Sequence, residues 1–216
     1  MPAVTVEKFS ALELPFIRHG FINRVPGIDV NVERAEAVRR LAPSHAEARL
    51  ALGFAAMPLI TAEQIHGNKI AVVDAATPAP VAAADGLVTN APGVSLGIYV
   101  ADCCAIFFAD PVRKTIGLVH SGKKGTELGI AAVAIEKMRE NFGTQPADLI
   151  VQLSPCIRPP HYETDFAAEI VNQCRRAGVR RIFDSGANTA ADLSRYYSYR
   201  AELGKTGRML AVLALV

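Results

Sequence analysis

An α+β fold is predicted by three features of this 216-residue chain. Short β-branched segments crowd its middle, helical periodicity appears on their flanks, and strands follow one another without strict helix alternation. The N-terminal third opens the helical part. Residues 32–41 are amphipathic, and Ser44-His-Ala-Glu47 has the form of a capping box that starts a second helix toward Phe54. Residues 59–64, 70–74, 86–89, 96–100, 105–110, 115–120 and 149–153 then read as strands, each punctuated by Gly, Pro or Asp. Between the last two, residues 125–142 place Ile130, Val133, Ala134, Met138 and Phe142 at helical spacing and stop at Gly143. A further helix over 166–177 stops at Gly178, and the apolar run 209–216 is a buried C-terminal strand. The Ala/Pro-rich stretch 75–84 is too short to serve as a linker between domains, so residues 1–216 are read as one compact domain.

Composition narrows the function classes. Half the residues are apolar, a fifth are charged, and the formal net charge is +2. That balance gives no electrostatic footprint for nucleic acid. The longest apolar run falls far short of the roughly 20 residues a membrane helix needs, so no membrane partner is expected. Met1-Pro-Ala-Val-Thr-Val-Glu-Lys8 lacks a basic region followed by an apolar stretch, and the four cysteines have no secretory context. A reducing cytoplasm is the expected location, with a small molecule as the partner. Oligomeric state is not encoded in any visible pattern.

Chemistry concentrates at His66, Cys103 and His120. A soft thiolate and two imidazoles make a three-ligand set, and three ligands leave the open coordination position of a catalytic zinc. No short zinc-finger spacing links them, and the competing reading is a buried apolar cysteine with two hydrogen-bonded histidines. Strand register bears on the choice. Segments 105–110 and 115–120 flank Pro111-Val-Arg-Lys114, a four-residue hairpin loop. If Asp110 opposes Thr115, Ala105 opposes His120, and Cys103 falls on the His120 side with Cys104 on the other. An odd-length loop would reverse that parity and favour Cys104.

The motifs His19-Gly-Phe-Ile-Asn-Arg24, Gln64-Ile-His-Gly67, Ala84-Asp-Gly-Leu-Val-Thr89, Ala101-Asp-Cys103, Ala109-Asp-Pro111, His120-Ser-Gly122, Ser154-Pro-Cys-Ile157, Tyr197-Ser-Tyr-Arg200 and Thr206-Gly-Arg-Met209 occur in order. Together they make the chain resemble the YfiH-like family. Its members are called laccase-domain or polyphenol oxidoreductases, and are described as purine nucleoside phosphorylases with adenosine deaminase activity. The resemblance implies a mixed β-sheet core flanked by helices, and a zinc ion held by His66, Cys103 and His120. Copper is the alternative metal. It also implies a purine nucleoside and phosphate as substrates, with Arg24, Lys124 and Arg200 as phosphate ligands.

Two departures stand out. Where the family commonly carries an aromatic after His-Ala-Gly, this chain has Lys123, and the family's Cys-Thr near the C-terminal end is Asn188-Thr189 here. Deamination would need a proton shuttle, for which Asp102, Glu63, Asp85 and Cys156 are unranked candidates, Asp85 equally serving as a ligand-orienting or turn carboxylate. A multicopper oxidase fits poorly, because the chain has five histidines. Other readings are a Cys/His hydrolase using Cys103 or Cys156, an enzyme editing peptidoglycan precursors, and a non-catalytic metal-stabilised binding protein.

Overall fold

The computed structural model describes residues 4–54 and 57–216. Two mixed sheets form the body. The first takes β1 (Val6–Glu7), β2 (Ile17–Ile22), β3 (Leu59–Thr61), β6 (Ser95–Val100) and β11 (Met209–Leu215) in the order β1-β2-β11-β6-β3. The second takes β4 (Ile70–Val72), β5 (Gly86–Thr89), β7 (Cys104–Asp110), β8 (Thr115–Ser121), β9 (Ile150–Leu153) and β10 (Arg181–Asp184) in the order β10-β9-β7-β8-β5-β4. Pairing is antiparallel at the centre of each sheet. Parallel pairs close the edges at β3–β6, β4–β5 and β9–β10.

The sheets face each other. Phe21, Leu96, Ile98 and Leu213 of the first pack in one cluster with Leu87, Phe107, Ile116 and Leu118 of the second. The outer face of the second sheet presents Ile106, Phe108 and Val119 to α3 (Ile130–Phe142) and α4 (Phe166–Arg176). On the far side, Ile22, Leu210 and Val212 meet Ala48 of α1 (Arg34–Ala51) and Phe54. Central strands β7, β8 and β11 are therefore buried on both faces, which is why they read as continuous apolar runs and not as alternation. Burial of this kind contributes roughly 25 cal/mol per Å² of apolar surface.

Several sequence expectations need correction. Residues 34–51 form one helix, with Pro43 inside it and no capping box at Ser44. Ala37, Leu41, His45 and Ala48 make an unbroken buried stripe across the proline, so tertiary packing outweighs the lost backbone hydrogen bond. The predicted 125–142 helix is two: α2 (Lys123–Glu127) ends and α3 begins at Gly129, whose φ of 72° no continuous helix accepts. The strand expected over 59–64 stops at Thr61, because Gln64 turns into the left-handed region at φ 64°. Strands β1, β2 and β10 add to the predicted set: β1 is a two-residue edge, β2 is buried at five of six positions without alternation, and β10 is a short, largely exposed edge.

Candidate metal centre and its cleft

The β7–β8 ladder sets the site. Asp110 pairs with Thr115 and Ala105 with His120, the register that the four-residue loop predicts. Strand β7 begins at Cys104, whose side chain joins the cluster facing α3 and α4. Cys103 lies before the strand and projects to the His120 side. It follows Asp102, which adopts φ 81°. Gly122 leaves room for the sulfur: a Cβ there would stand 2.6 Å from Cys103 Sγ. His66 arrives from a separate loop, also at positive φ (63°). Non-glycine residues held in this region cost on the order of 1–3 kcal/mol each unless their surroundings over-determine them.

Those surroundings are visible. The Gln64 amide grips β6 at two points, donating to Tyr99 O at 2.6 Å and accepting from Tyr99 N at 3.0 Å. Asp85, fully buried, ties the two histidines together. Its Oδ1 accepts from His66 N at 2.8 Å and lies 2.9 Å from His120 Nδ1, while Oδ2 accepts from Gly67 N at 2.7 Å. A proton on Nδ1 facing this carboxylate leaves His120 Nε2 as the ligand atom. Burial alone would raise the Asp85 carboxyl, but the hydrogen bonds from His120 and the backbone outweigh it and hold it below the usual range.

The donor atoms of His66, Cys103 and His120 all lie within 4.8 Å of one another. The two imidazole rings meet edge to face, with centroids 4.8 Å apart. Burial disfavours a thiolate, yet the charge of His120 and hydrogen bonds from both imidazoles pull the Cys103 thiol down to about 6. Burial likewise opposes charge on His120, and Cys103 with Asp85 carries it up to about 9. A thiolate is thus available near neutral pH. These donors fit a borderline-soft transition metal, and metal entry displaces the His120 proton.

The triad opens into a cleft of about 670 Å³. Lys124 and Arg200 line it, and so does Lys123. Arg24 does not. Its guanidinium is captured by Glu202 at 2.7 Å and Tyr196 O at 3.0 Å and lies over the Tyr197 ring, so it braces the loop that carries Arg200. Arg34 and Arg208 also line the cleft, and neither was singled out from sequence. Arg208 is buried, donates to the carbonyls of Thr206 and Gly207, and has no carboxylate partner among the described residues. Burial, and then the nearby Arg34, lowers its pKa from the ordinary arginine value. The available signal was a single arginine directly preceding a wholly apolar terminal strand.

The four shuttle candidates separate. Asp85 orients ligands, Cys156 is buried in the α3/α4 cluster, and exposed Glu63 accepts from Ala83 N. Asp102 lines the cleft, but its oxygens accept from Thr189 Oγ1 and Arg200 N at 2.7 Å each. It fixes the Arg200 loop beside Cys103.

The family model described as "Multi-copper polyphenol oxidoreductase laccase" matches residues 19–169 and 160–216. A Deinococcus radiodurans protein named purine nucleoside phosphorylase is 33% identical over 92% of this chain and 89% of its own length. Several solved structures share the fold. YlmD from Geobacillus stearothermophilus has a TM-score of 0.83 at 23% identity, covering 99% of this chain and 98% of that one. The Bacillus licheniformis protein YfiH has a TM-score of 0.82 at 23% identity, covering 95% and 98%.

Proposed function

The chain belongs to the multi-copper polyphenol oxidoreductase laccase family, and from that premise we propose that it cleaves purine nucleosides with phosphate, at a zinc centre held by His66, Cys103 and His120. The observation that carries this reading is the convergence of Lys124, Arg200, Arg34 and Arg208 on the cleft into which the triad opens. Zinc accepts these donors with a fourth position left open and is the metal of this reading; copper accepts the same imidazole/thiolate set. A bound zinc ion supplies Lewis acidity to electron density developing on a substrate atom. Multicopper chemistry is disfavoured by ligand count: of five histidines, only His66 and His120 converge with a cysteine in a three-ligand cluster among the described residues.

In this mechanism Arg200, Lys123 and Lys124 hold phosphate, with Arg208 and Arg34 completing the cationic wall. A phosphate oxygen bonds to the ribose C1′ as the C1′–N9 bond breaks, and the departing purine takes the electron pair and the proton that the hydrogen phosphate gives up. Tyr99, Tyr162 and Tyr199 line the same cleft and offer faces for the base. Asp85 keeps His120 oriented, and Asp102 keeps Arg200 in place through its backbone. Deamination of adenosine is the second reading, favoured by Glu33 and Glu127, carboxylates that line the cleft and could move protons.

Chromatography of inosine or adenosine reactions tests the assignment. Base release is expected to require phosphate and yield ribose 1-phosphate, with arsenate giving free ribose instead. Base released at an equal rate without phosphate, or ammonia as the sole product, would contradict phosphorolysis. The same reading takes the cytoplasm as the location, where thiols such as Cys103 are kept reduced. No helix among the described residues is long and apolar enough to cross a membrane.

A further inference from the structure

Two carboxylates flank the loop that carries Arg200, and they are held very differently. Glu202 is mostly buried and accepts from Arg24 Nη2 at 2.7 Å, Ser198 N at 3.0 Å and Thr206 Oγ1 at 2.5 Å. It is part of the loop's framework. Glu163 precedes α4 and splits its oxygens between two cleft cations, Oε1 at 3.5 Å from Lys123 Nζ and Oε2 at 3.2 Å from Arg200 Nη2. The side chains of all three lie between 42% and 55% exposed, so water competes for every contact. Lys123 comes from α2 and Arg200 from the opposite loop, so the carboxylate bridges two separate elements.

We propose that Glu163 is a displaceable internal counter-ion, occupying the place between Lys123 and Arg200 that the phosphate takes on binding. This inference rests on the phosphorolytic reading of the same cleft. A carboxylate presents two anionic oxygens with the spacing and sign of one edge of a phosphate, and both select the same donors. Because its contacts are exposed and individually weak, the carboxylate yields to a doubly charged competitor. Tyr162, adjacent in sequence, stacks beneath the Arg200 guanidinium at 4.8 Å and keeps it at the cleft when Glu163 leaves. Lys123 thereby acquires a role that an aromatic at its position could not have. Glu163 sets how much phosphate the site requires and takes no part in bond breaking.

The test compares Glu163→Gln with Glu140→Gln, which removes the same charge from a remote position on α3 where Glu140 pairs with Lys137. At low ionic strength Glu163→Gln is expected to lower the phosphate KM by about three- to tenfold, with kcat and nucleoside KM little changed. The gain should shrink in about 0.5 M salt, as screening predicts, while Glu140→Gln leaves the phosphate KM alone. Calorimetric titration of inorganic phosphate into metal-loaded protein gives the same ranking without turnover. Tighter phosphate binding in Glu163→Gln, even with no base released from any nucleoside, would keep the counter-ion role and defeat phosphorolysis. An unchanged or raised phosphate KM, equal tightening in Glu140→Gln, or phosphate binding to neither protein would overturn the proposal.

Discussion

Cys103 and Cys104 are neighbours in the chain, yet one opens onto a polar cleft between two imidazoles and the other sits in a dry layer between the second sheet and its helices. Around Cys103 the charge of His120 and hydrogen bonds from both imidazoles stabilise a thiolate against burial, pulling the thiol down to about 6. The thiols beside Cys104 behave in the opposite way. Contact with Cys104 and burial hold Cys156 well above the ordinary thiol range, and burial pushes Cys174 up to about 12. One peptide unit separates a candidate metal ligand from a small core residue. The comparison teaches that the pleat and its register, not the residue type, decide which chemistry a cysteine has.

The largest expected contrast is in reactivity. In metal-free protein at pH 7, iodoacetamide is expected to modify Cys103 at least about a hundredfold faster than Cys104, Cys156 or Cys174, with a pH midpoint near 6 shared between Cys103 and His120. Peptide mapping reads this directly, and comparable labelling of Cys104 would erase the distinction between the regions. Acid stability comes next. Burial lowers His45 in α1 to about 4, so the unfolded chain takes up a proton near 6.5 that the native state refuses. The stabilisation is complete above 6.5 and is lost as pH falls toward 4, amounting to about 3 kcal/mol for this group. His19, lowered to about 4 by burial and then by Lys8, adds in the same direction. Urea midpoints should therefore fall across this window, and His45→Leu should flatten the slope; an unaltered slope would place the proton uptake elsewhere. A smaller effect sharpens the cleft side alone. Asp85→Asn is expected to weaken metal affinity about 10- to 100-fold by freeing the His120 ring and the 66–67 backbone. Competition with a chromophoric chelator measures it, and unchanged affinity would deny Asp85 its orienting role.

Much of the Cys103 region was legible in the sequence because a hairpin with a short even loop has few registers, and Asp110 opposite Thr115 fixes where His120 stands. The seven strands expected in the middle of the chain are present, with ends shifted by a few residues. The rest depended on tertiary context. Positive φ at Gln64, His66 and Asp102 is unreadable where no glycine marks it, and it is imposed by bonds to Tyr99, Asp85, Thr189 and Arg200. Arg34 and Arg208 reach the cleft from positions 174 residues apart, and Arg24 is diverted by a glutamate 178 residues away. Long-range placement of charge leaves no local pattern. Pro43 carried the reverse lesson, since a residue that ends most helices is overridden when a buried stripe continues beyond it.

Metal content across a matched cysteine pair tests the distinction between the two regions most directly. Wild type, Cys103→Ala and Cys104→Ala would be purified without added metal, checked for native secondary structure by circular dichroism, and analysed by plasma mass spectrometry. Near-equimolar zinc is expected in wild type and Cys104→Ala, and none in Cys103→Ala. A folded Cys103→Ala protein that keeps its zinc, or a folded Cys104→Ala protein that loses it, would contradict the assignment of His66, Cys103 and His120 as the metal centre.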